Sequence, residues 1–281
     1  MTEKYDELRR SSENETAAIF RLTEIIRILR SPDGCPWDRE QTHKTLIRGM
    51  IEESYEVIEA IETENTENLK EELGDVLLQV VMHAQIAEEN GTFSLRDVAD
   101  EVSEKMLRRH PHVFDEKTAE TLQNCGISVD NVYELWDNVK QGEKNASSVT
   151  EEMKNIPRHL PALLRSEKIQ AKARRAGFDW DDVSEAFLKV REELLELEEA
   201  CEQQDKEHMR HEAGDLLFAA VNVARFLDID PEEALNLTSE RFIRRFSHVE
   251  DQARRKGRSL NDMSLAEMDE LWEIAKSKEQ L

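Results

Sequence analysis

Apolar residues recur at intervals of three and four in both halves of the chain, the spacing that is typical of amphipathic helices. In the first half this spacing predicts two helices with a turn at residues 65–67 between them; their apolar positions are Ile51, Tyr55, Ile58 and Ile61, then Leu73, Leu77, Val80, Val81 and Ala84. In the second half it predicts two more helices around a turn at residues 203–205; their positions are Leu194, Leu197 and Ala200, then Leu216, Leu217, Ala220, Val223 and Phe226. Glycine and proline are scarce and no alternation of strands and helices is visible, so we predict an all-α fold of helical hairpins.

The chain repeats itself. An EExxE motif at residues 52–56 recurs at 192–196, and an ExxD motif at 72–75 recurs at 212–215 with the same offset of 140. Further matches occur in the same order along the chain. GCPWD at 34–38 matches GFDWD at 177–181. Later, Glu104, Arg108, Arg109 and His112 match Glu240, Arg244, Arg245 and His248, and Leu135, Trp136 and Lys140 match Leu271, Trp272 and Lys276. We therefore predict two tandem copies of one domain, residues 1–145 and 161–281, joined by a linker at 146–160.

The charge of the chain limits its partners. The 62 acidic residues outnumber the 38 basic ones, which gives a net charge of −24. A nucleic-acid backbone or an anionic membrane attracts clustered Lys and Arg, so neither is an expected partner. The three cysteines, Cys35, Cys125 and Cys201, show no CxxC spacing, and no apolar leader or long apolar span is present. These features predict a cytoplasmic protein with reduced thiols.

The paired acidic motifs are the candidate chemistry. Residues three or four apart share one face of a helix, and a short hairpin makes neighbouring helices antiparallel. Four carboxylates could then converge, and a hard cation, magnesium or else manganese, would relieve their repulsion. The predicted ligands are Glu193, Glu196, Glu212 and Asp215 in the second copy and Glu53, Glu56, Glu72 and Asp75 in the first.

Several of the candidate residues also have a purely structural interpretation. Acidic residues at helical spacing usually form a solvated face, but here the arrangement occurs twice, which favours metal binding. Gly74 and Gly214 interrupt predicted helices, and we expect tight helix packing there rather than room beside a metal. Trp37 and Trp180 are expected in the core. A di-iron carboxylate site would need Glu-x-x-His pairs from two helices, and the one such spacing, Glu40 to His43, has no counterpart in the second copy.

EExxE followed after fifteen residues by ExxD, together with GCPWD, ELGDVLL and the terminal LWxxxK, resembles the MazG family of nucleoside triphosphate pyrophosphohydrolases in its two-domain form. The resemblance covers residues 17–276. It implies magnesium-dependent cleavage of nucleoside triphosphates to the monophosphate and pyrophosphate, and a homodimer whose helices complete a four-helix site. It also implies Glu193, Glu196, Glu212 and Asp215 as metal ligands and a set of substrate contacts; these are Arg241, Arg244, Arg245, Trp272 and Lys276. Lys189, beside the second EExxE motif, is a further candidate substrate contact.

The mechanism we expect is metal-assisted hydrolysis, in which Glu192 or Glu193 orients or deprotonates the attacking water. A dUTPase-like or phosphoribosyl-ATP pyrophosphohydrolase activity remains an alternative, as does a non-catalytic acidic interaction module. The second copy has Lys189, Arg191 and Arg225 where the first has Gly49, Ile51 and Gln85. Extra cations near the metal favour a polyphosphate, so we predict that residues 157–281 carry most of the activity.

Overall fold

The computed structural model describes Tyr5, residues 7–115 and residues 148–279, and within these ranges it contains helices and no strand. The prediction of an all-α fold is confirmed. Leu135, Trp136, Lys140 and Cys125 lie outside the described residues. The chain divides into two compact units, Met1–Glu143 and Lys144–Leu281.

The first unit is organised around a long hairpin. Its helices are α1 (Glu15–Leu29), α2 (Pro36–Glu40), α3 (Ile47–Glu62), α4 (Thr66–Glu89), α5 (Leu95–Arg109) and α6 (Pro111–Phe114). Helices α3 and α4 form the hairpin, and α1 and α5 pack against α4. The apolar stripes of α1 and α4 meet in the core of the unit, which consists of Ile26, Leu46, Val81, Met82 and Ile86.

The second unit repeats the hairpin. Its helices are α7 (Val149–Lys154), α8 (Ala162–Arg175), α9 (Val183–Gln203), α10 (Lys206–Phe226), α11 (Pro231–Arg255) and α12 (Leu265–Glu279). Helices α9 and α10 form the hairpin, α8 packs against α10 and α11, and α11 packs against α12. Gln204 adopts a left-handed conformation with φ of 57°, and the Asp205 side chain caps α10, so the predicted turn at residues 203–205 is confirmed.

Three local expectations need correction or refinement. The first turn lies earlier than predicted, because Asn65 caps α4 and Thr66 is already helical, while Glu64 takes the left-handed conformation. The segment expected as a linker contains α7, which an ion pair between Glu152 and Lys172 ties to α8. Neither Trp37 nor Trp180 is in the core, since 66% and 38% of their surfaces are exposed. Trp37 lies on the five-residue helix α2, which contributes no buried residue, and Trp180 lies in the segment before α9.

Within the described ranges, no helix is both long enough and apolar enough to cross a membrane.

Candidate metal and nucleotide site

Three glutamates converge at the hairpin of the second unit. Glu193 and Glu196 are one turn apart on α9, and Glu212 faces them from α10; a carboxylate oxygen from each lies within 4.8 Å of the others. Glu193 is only 5% exposed and Glu212 9% exposed, although both are charged side chains. Buried carboxylates are costly unless a cation or hydrogen bonds compensate them, so this cluster differs from a solvated acidic face.

The first unit has the same arrangement. Glu53 and Glu56 on α3 and Glu72 on α4 also have carboxylate oxygens within 4.8 Å of one another. Here Glu53 and Glu72 are half-buried and Glu56 is exposed. The two copies of the sequence motif therefore form carboxylate clusters of the same arrangement.

Crowding changes the acidity of these groups. Burial, followed by the charges of Glu193 and Glu212, raises the pKa of Glu196. Burial and the charges of Asp75 and Glu56 raise the pKa of Glu53 in the same way. Neighbouring carboxylates thus oppose the ionisation of Glu196 and Glu53, and crowded oxygen donors suit a hard divalent cation such as magnesium.

The predicted fourth ligands lie one turn beyond the three-glutamate clusters. Asp215 is exposed and follows Glu212 by three residues on α10. Asp75 occupies the matching position on α4, and its charge raises the pKa of both Glu53 and Glu72, which places it beside the first cluster.

Two basic groups contact the second cluster. The Nζ atom of Lys189 lies 2.8 Å from Oε1 of Glu192 and 2.7 Å from Oε1 of Glu193, and these contacts raise the pKa of Lys189. The Nε2 atom of His208 lies 3.0 Å from Oε1 of Glu212. His208 was missed by the sequence reasoning, although its spacing of four residues from Glu212 on one helix was a usable signal.

Comparison with known proteins identifies the family. The family model described as the MazG nucleotide pyrophosphohydrolase domain matches twice, at residues 41–114 and 182–250, and so covers both hairpins. This chain belongs to the MazG family. The predictions of the family, of two tandem MazG domains and of a hydrolase of this class are confirmed.

Relatives match over most of the chain. The nucleoside triphosphate pyrophosphohydrolase/pyrophosphatase MazG of Thermotoga maritima is 44% identical over 258 residues, which cover 91% of this chain and 94% of that protein. The nucleoside triphosphate pyrophosphohydrolase of Escherichia coli K12 is 40% identical over 93% of this chain and 98% of its own length. The uncharacterized protein YabN of Bacillus subtilis is 49% identical, but this chain spans only 51% of its length.

The other predicted substrate contacts of this MazG chain lie on α11 and α12. Arg241 donates a hydrogen bond to Thr238 on its own helix, and Lys276 pairs with Glu273 on its own helix. The guanidinium of Arg245 lies 5.8 Å from the centre of the Trp272 ring, and Arg244 is an exposed residue of α11. These residues thus contact one another or their own helices, whereas Lys189 directly contacts the carboxylates.

The glycines of the two MazG motifs have open space around them. A Cβ atom built on Gly74 or on Gly214 would meet no atom within 4 Å. The expectation of tight helix packing at these positions is therefore wrong. Since Gly74 precedes Asp75 and Gly214 precedes Asp215, the open space lies beside the predicted metal ligands.

Proposed function

We propose that this protein hydrolyses nucleoside triphosphates to the nucleoside monophosphate and pyrophosphate, with magnesium as its metal and manganese as a possible substitute. The observation that carries the proposal is the convergence of Glu193, Glu196 and Glu212 within 4.8 Å, with Glu193 buried. The relatives from Thermotoga maritima and Escherichia coli are named for this class of activity. We assign the protein a housekeeping role on the nucleotide pool in the cytoplasm.

In this proposal the three glutamates hold the cation together with Asp215, and Glu53, Glu56, Glu72 and Asp75 form the equivalent set in the first unit. When bound, magnesium supplies positive charge to the phosphate oxygens and so stabilises the charge that develops on them. The oxygen-only donor set is the chemical reason for choosing magnesium over zinc or iron.

The two adjacent glutamates of the motif have different surroundings, which separates their roles. Glu193 belongs to the three-glutamate cluster, whereas Glu192 lies outside it with 56% of its side chain exposed. Glu192 is therefore the better placed of the two to orient or deprotonate a water molecule at the edge of the cluster. In the structure the ammonium of Lys189 contacts both Glu192 and Glu193. When a cation neutralises the glutamates instead, this ammonium can turn to a phosphate of the substrate.

We further propose that the protein is a homodimer held together by its first unit. Helix α3 has a stripe of large apolar side chains that are 46–57% exposed: Ile47, Ile51, Tyr55, Ile58 and Ile61. A second copy presents the same stripe, and two such stripes are complementary about a twofold axis. At the matching positions of α9 the stripe is interrupted by Arg191 and Glu198, so the second unit is less suited to this contact. Paired α3–α4 hairpins would supply four helices around the cluster of the first unit.

The experiment that tests the function measures pyrophosphate and nucleoside monophosphate from a panel of triphosphates, with magnesium and with a chelator. We expect Glu193→Ala and Asp215→Ala to abolish the magnesium-dependent reaction while circular dichroism shows unchanged helix content. Glu199→Ala is the matched control, since Glu199 is an exposed acid of α9 that is not part of the cluster. Full turnover in both site variants would overturn the assignment.

A further inference from the structure

Two histidines of the first unit form a pair. His43 lies in the connection between α2 and α3, and His83 lies on α4. Their Nδ1 atoms are 2.8 Å apart, and their ring planes are parallel to within 4°. The ring centres are 5.1 Å apart, which exceeds the separation of the two nitrogens by about one ring width, so the rings meet edge to edge. One Nδ1–H group therefore donates to the lone pair of the other Nδ1 atom.

Each ring of the pair has the chemistry of a metal ligand. Among the described residues, the one hydrogen-bond partner of either imidazole is the other imidazole. Burial, followed by the charge of His43, lowers the pKa of His83, so this ring is neutral near pH 7. Neutral imidazole is the commonest metal ligand in proteins. Because His43 is exposed to water, its hydrogen bond to His83 by itself contributes little to stability.

The backbone that presents the two rings is already ordered. Thr42 and Thr45 flank His43 and exchange hydrogen bonds of 2.9 and 3.2 Å between their backbone N–H groups and hydroxyl oxygens. Leu46, the next residue, belongs to the hydrophobic core of the unit. His83 is half-buried on a continuous helix. Ligands that are held in place before binding lose less conformational freedom when an ion arrives.

The separation of the two nitrogens is close to that in a metal site. Zinc–nitrogen bonds of about 2.0–2.1 Å at a tetrahedral angle place two nitrogens about 3.3 Å apart, so the Nδ1 atoms need to separate by about half an ångström. The exposed ring of His43 can turn by that amount. The hydrogen atom that the rings share then moves to Nε2 of its own ring, so a neutral pair releases no proton on binding.

We propose that His43 and His83 bind a divalent transition-metal ion, for which zinc is the expected occupant, with water at its other coordination positions. Imidazole nitrogen suits zinc, nickel and copper, whereas the carboxylate clusters suit magnesium, so the protein has two chemically different kinds of metal site. The bound ion ties the start of α3 to α4. This inference does not depend on the proposed hydrolysis of nucleotides.

The histidine pair is separate from the carboxylate cluster of the same unit and has no counterpart in the second unit. His83 follows Asp75 by eight residues on α4, which is about 12 Å along the helix axis. In the second unit Val223 occupies the position that matches His83. Any ion that depends on both imidazoles is therefore bound by the first unit alone.

Electron paramagnetic resonance of copper(II) tests the site, because imidazole nitrogen splits the copper signal and a carboxylate oxygen does not. Copper(II), added at one equivalent to the full chain in excess magnesium, should show coupling to two nitrogens, since copper binds imidazole more tightly than the other divalent ions of its series. His83→Gln should remove this coupling. His159→Gln is the matched control, because His159 is an exposed histidine of the second unit, and it should retain the coupling. A copper signal without nitrogen coupling, or the same coupling in His83→Gln, would overturn the proposal.

Calorimetry with zinc keeps the test decisive if His83→Gln fails to fold. His43 is exposed, so His43→Gln should fold. Loss of a residue that only orients a metal ligand weakens metal affinity by about tenfold or more, so loss of the ligand itself should weaken zinc binding by at least about tenfold. If the pair is only a structural hydrogen bond, His43→Gln will bind zinc as tightly as the unmodified protein, and the metal site is refuted.

Discussion

The amide of Gln79 occupies the space beside Gly49 that a Cβ atom would take. A Cβ atom at Gly49 would lie 2.7 Å from Nε2 of Gln79, and the Gln79 amide is hydrogen-bonded to Glu53. At the matching positions of the second unit the sizes are reversed, since Lys189 replaces Gly49 and Ala219 replaces Gln79. A neutral amide thus contacts the first cluster where an ammonium group contacts the second.

This exchange predicts different cation affinities for the two clusters. The ammonium of Lys189 already compensates the negative charge of Glu193, so a divalent cation must displace it. At the first cluster the neutral amide of Gln79 does not compete with a cation in this way. Without nucleotide, we expect manganese to bind the first cluster more tightly than the second, as measured by electron paramagnetic resonance. The double variant Glu53→Ala/Glu56→Ala removes the first cluster, so that binding at the second can be measured alone. Glu193→Ala/Glu196→Ala does the reverse.

Lys189→Gln provides the direct check on that explanation. It should raise the nucleotide-free manganese affinity of the second cluster and leave that of the first unchanged. The same variant should lower kcat/KM for triphosphates, because a phosphate contact is lost. If manganese affinity at the second cluster does not change, the ammonium is not the competitor.

The same double variants test where hydrolysis occurs. We expect Glu193→Ala/Glu196→Ala to abolish most of the turnover and Glu53→Ala/Glu56→Ala to spare most of it, since only the second cluster has a lysine in direct contact among the described residues. Steady-state assays of pyrophosphate release measure both. The reverse result would assign the activity to the first unit, and equal partial losses would mean two independent sites.

The open space at Gly74 and Gly214 predicts opposite effects on stability and activity. Alanine meets no atom there and removes the helix penalty of glycine, so each substitution should stabilise the metal-free protein by up to about 1 kcal/mol. Because the added methyl group stands next to Asp215, we expect Gly214→Ala to lower kcat/KM, while Gly74→Ala leaves it nearly unchanged. Thermal unfolding and steady-state assays measure the two effects. Unchanged turnover in Gly214→Ala would show that the space has no role in substrate binding.

The apolar stripe of α3 predicts the oligomeric state. Ile51→Glu with Ile58→Glu places like charges within the proposed twofold contact, so the protein should change from dimer to monomer in light scattering at micromolar concentration. Leu195→Glu is the matched control, because Leu195 occupies on α9 the position of Tyr55 on α3. A monomeric unmodified protein with full activity would contradict the dimer.

The start of α12 predicts a pH dependence that does not involve the carboxylate clusters. The Arg258 guanidinium, 2.5 Å away, and the backbone and side chain of Ser264 lower the pKa of Glu267 from 4.5 to about 2. A lowered pKa means that the native state favours the ionised form. The stabilisation is therefore complete above pH 4.5 and is lost as the pH falls through about 2.

Urea unfolding at several pH values measures this contribution. Glu267→Gln should be less stable than the unmodified protein near pH 6, and the difference should shrink as the pH falls below 4.5. A difference that does not depend on pH would mean that Glu267 acts through packing rather than through its charge.

The sequence predicted those features that depend on local spacing. Carboxylates three residues apart on each helix of a short hairpin had to share a face, and so Glu193, Glu196 and Glu212 meet as expected. Contacts between helices distant in sequence were beyond such reasoning: Gln170 and Phe218 are 48 residues apart, and no local pattern marks their hydrogen bond. The open space at Gly214 was missed for the same reason. The sequence of a helix does not show whether another helix packs against its glycine.

The net charge of −24 also governs how fast a nucleotide reaches the protein. An acidic surface repels polyphosphates over about one Debye length, and the repulsion is weaker for a nucleotide that already carries a divalent cation. The encounter itself thus favours the complexed nucleotide over the free one. Added salt should accelerate association here, the opposite of what is observed when a basic surface attracts an anionic ligand.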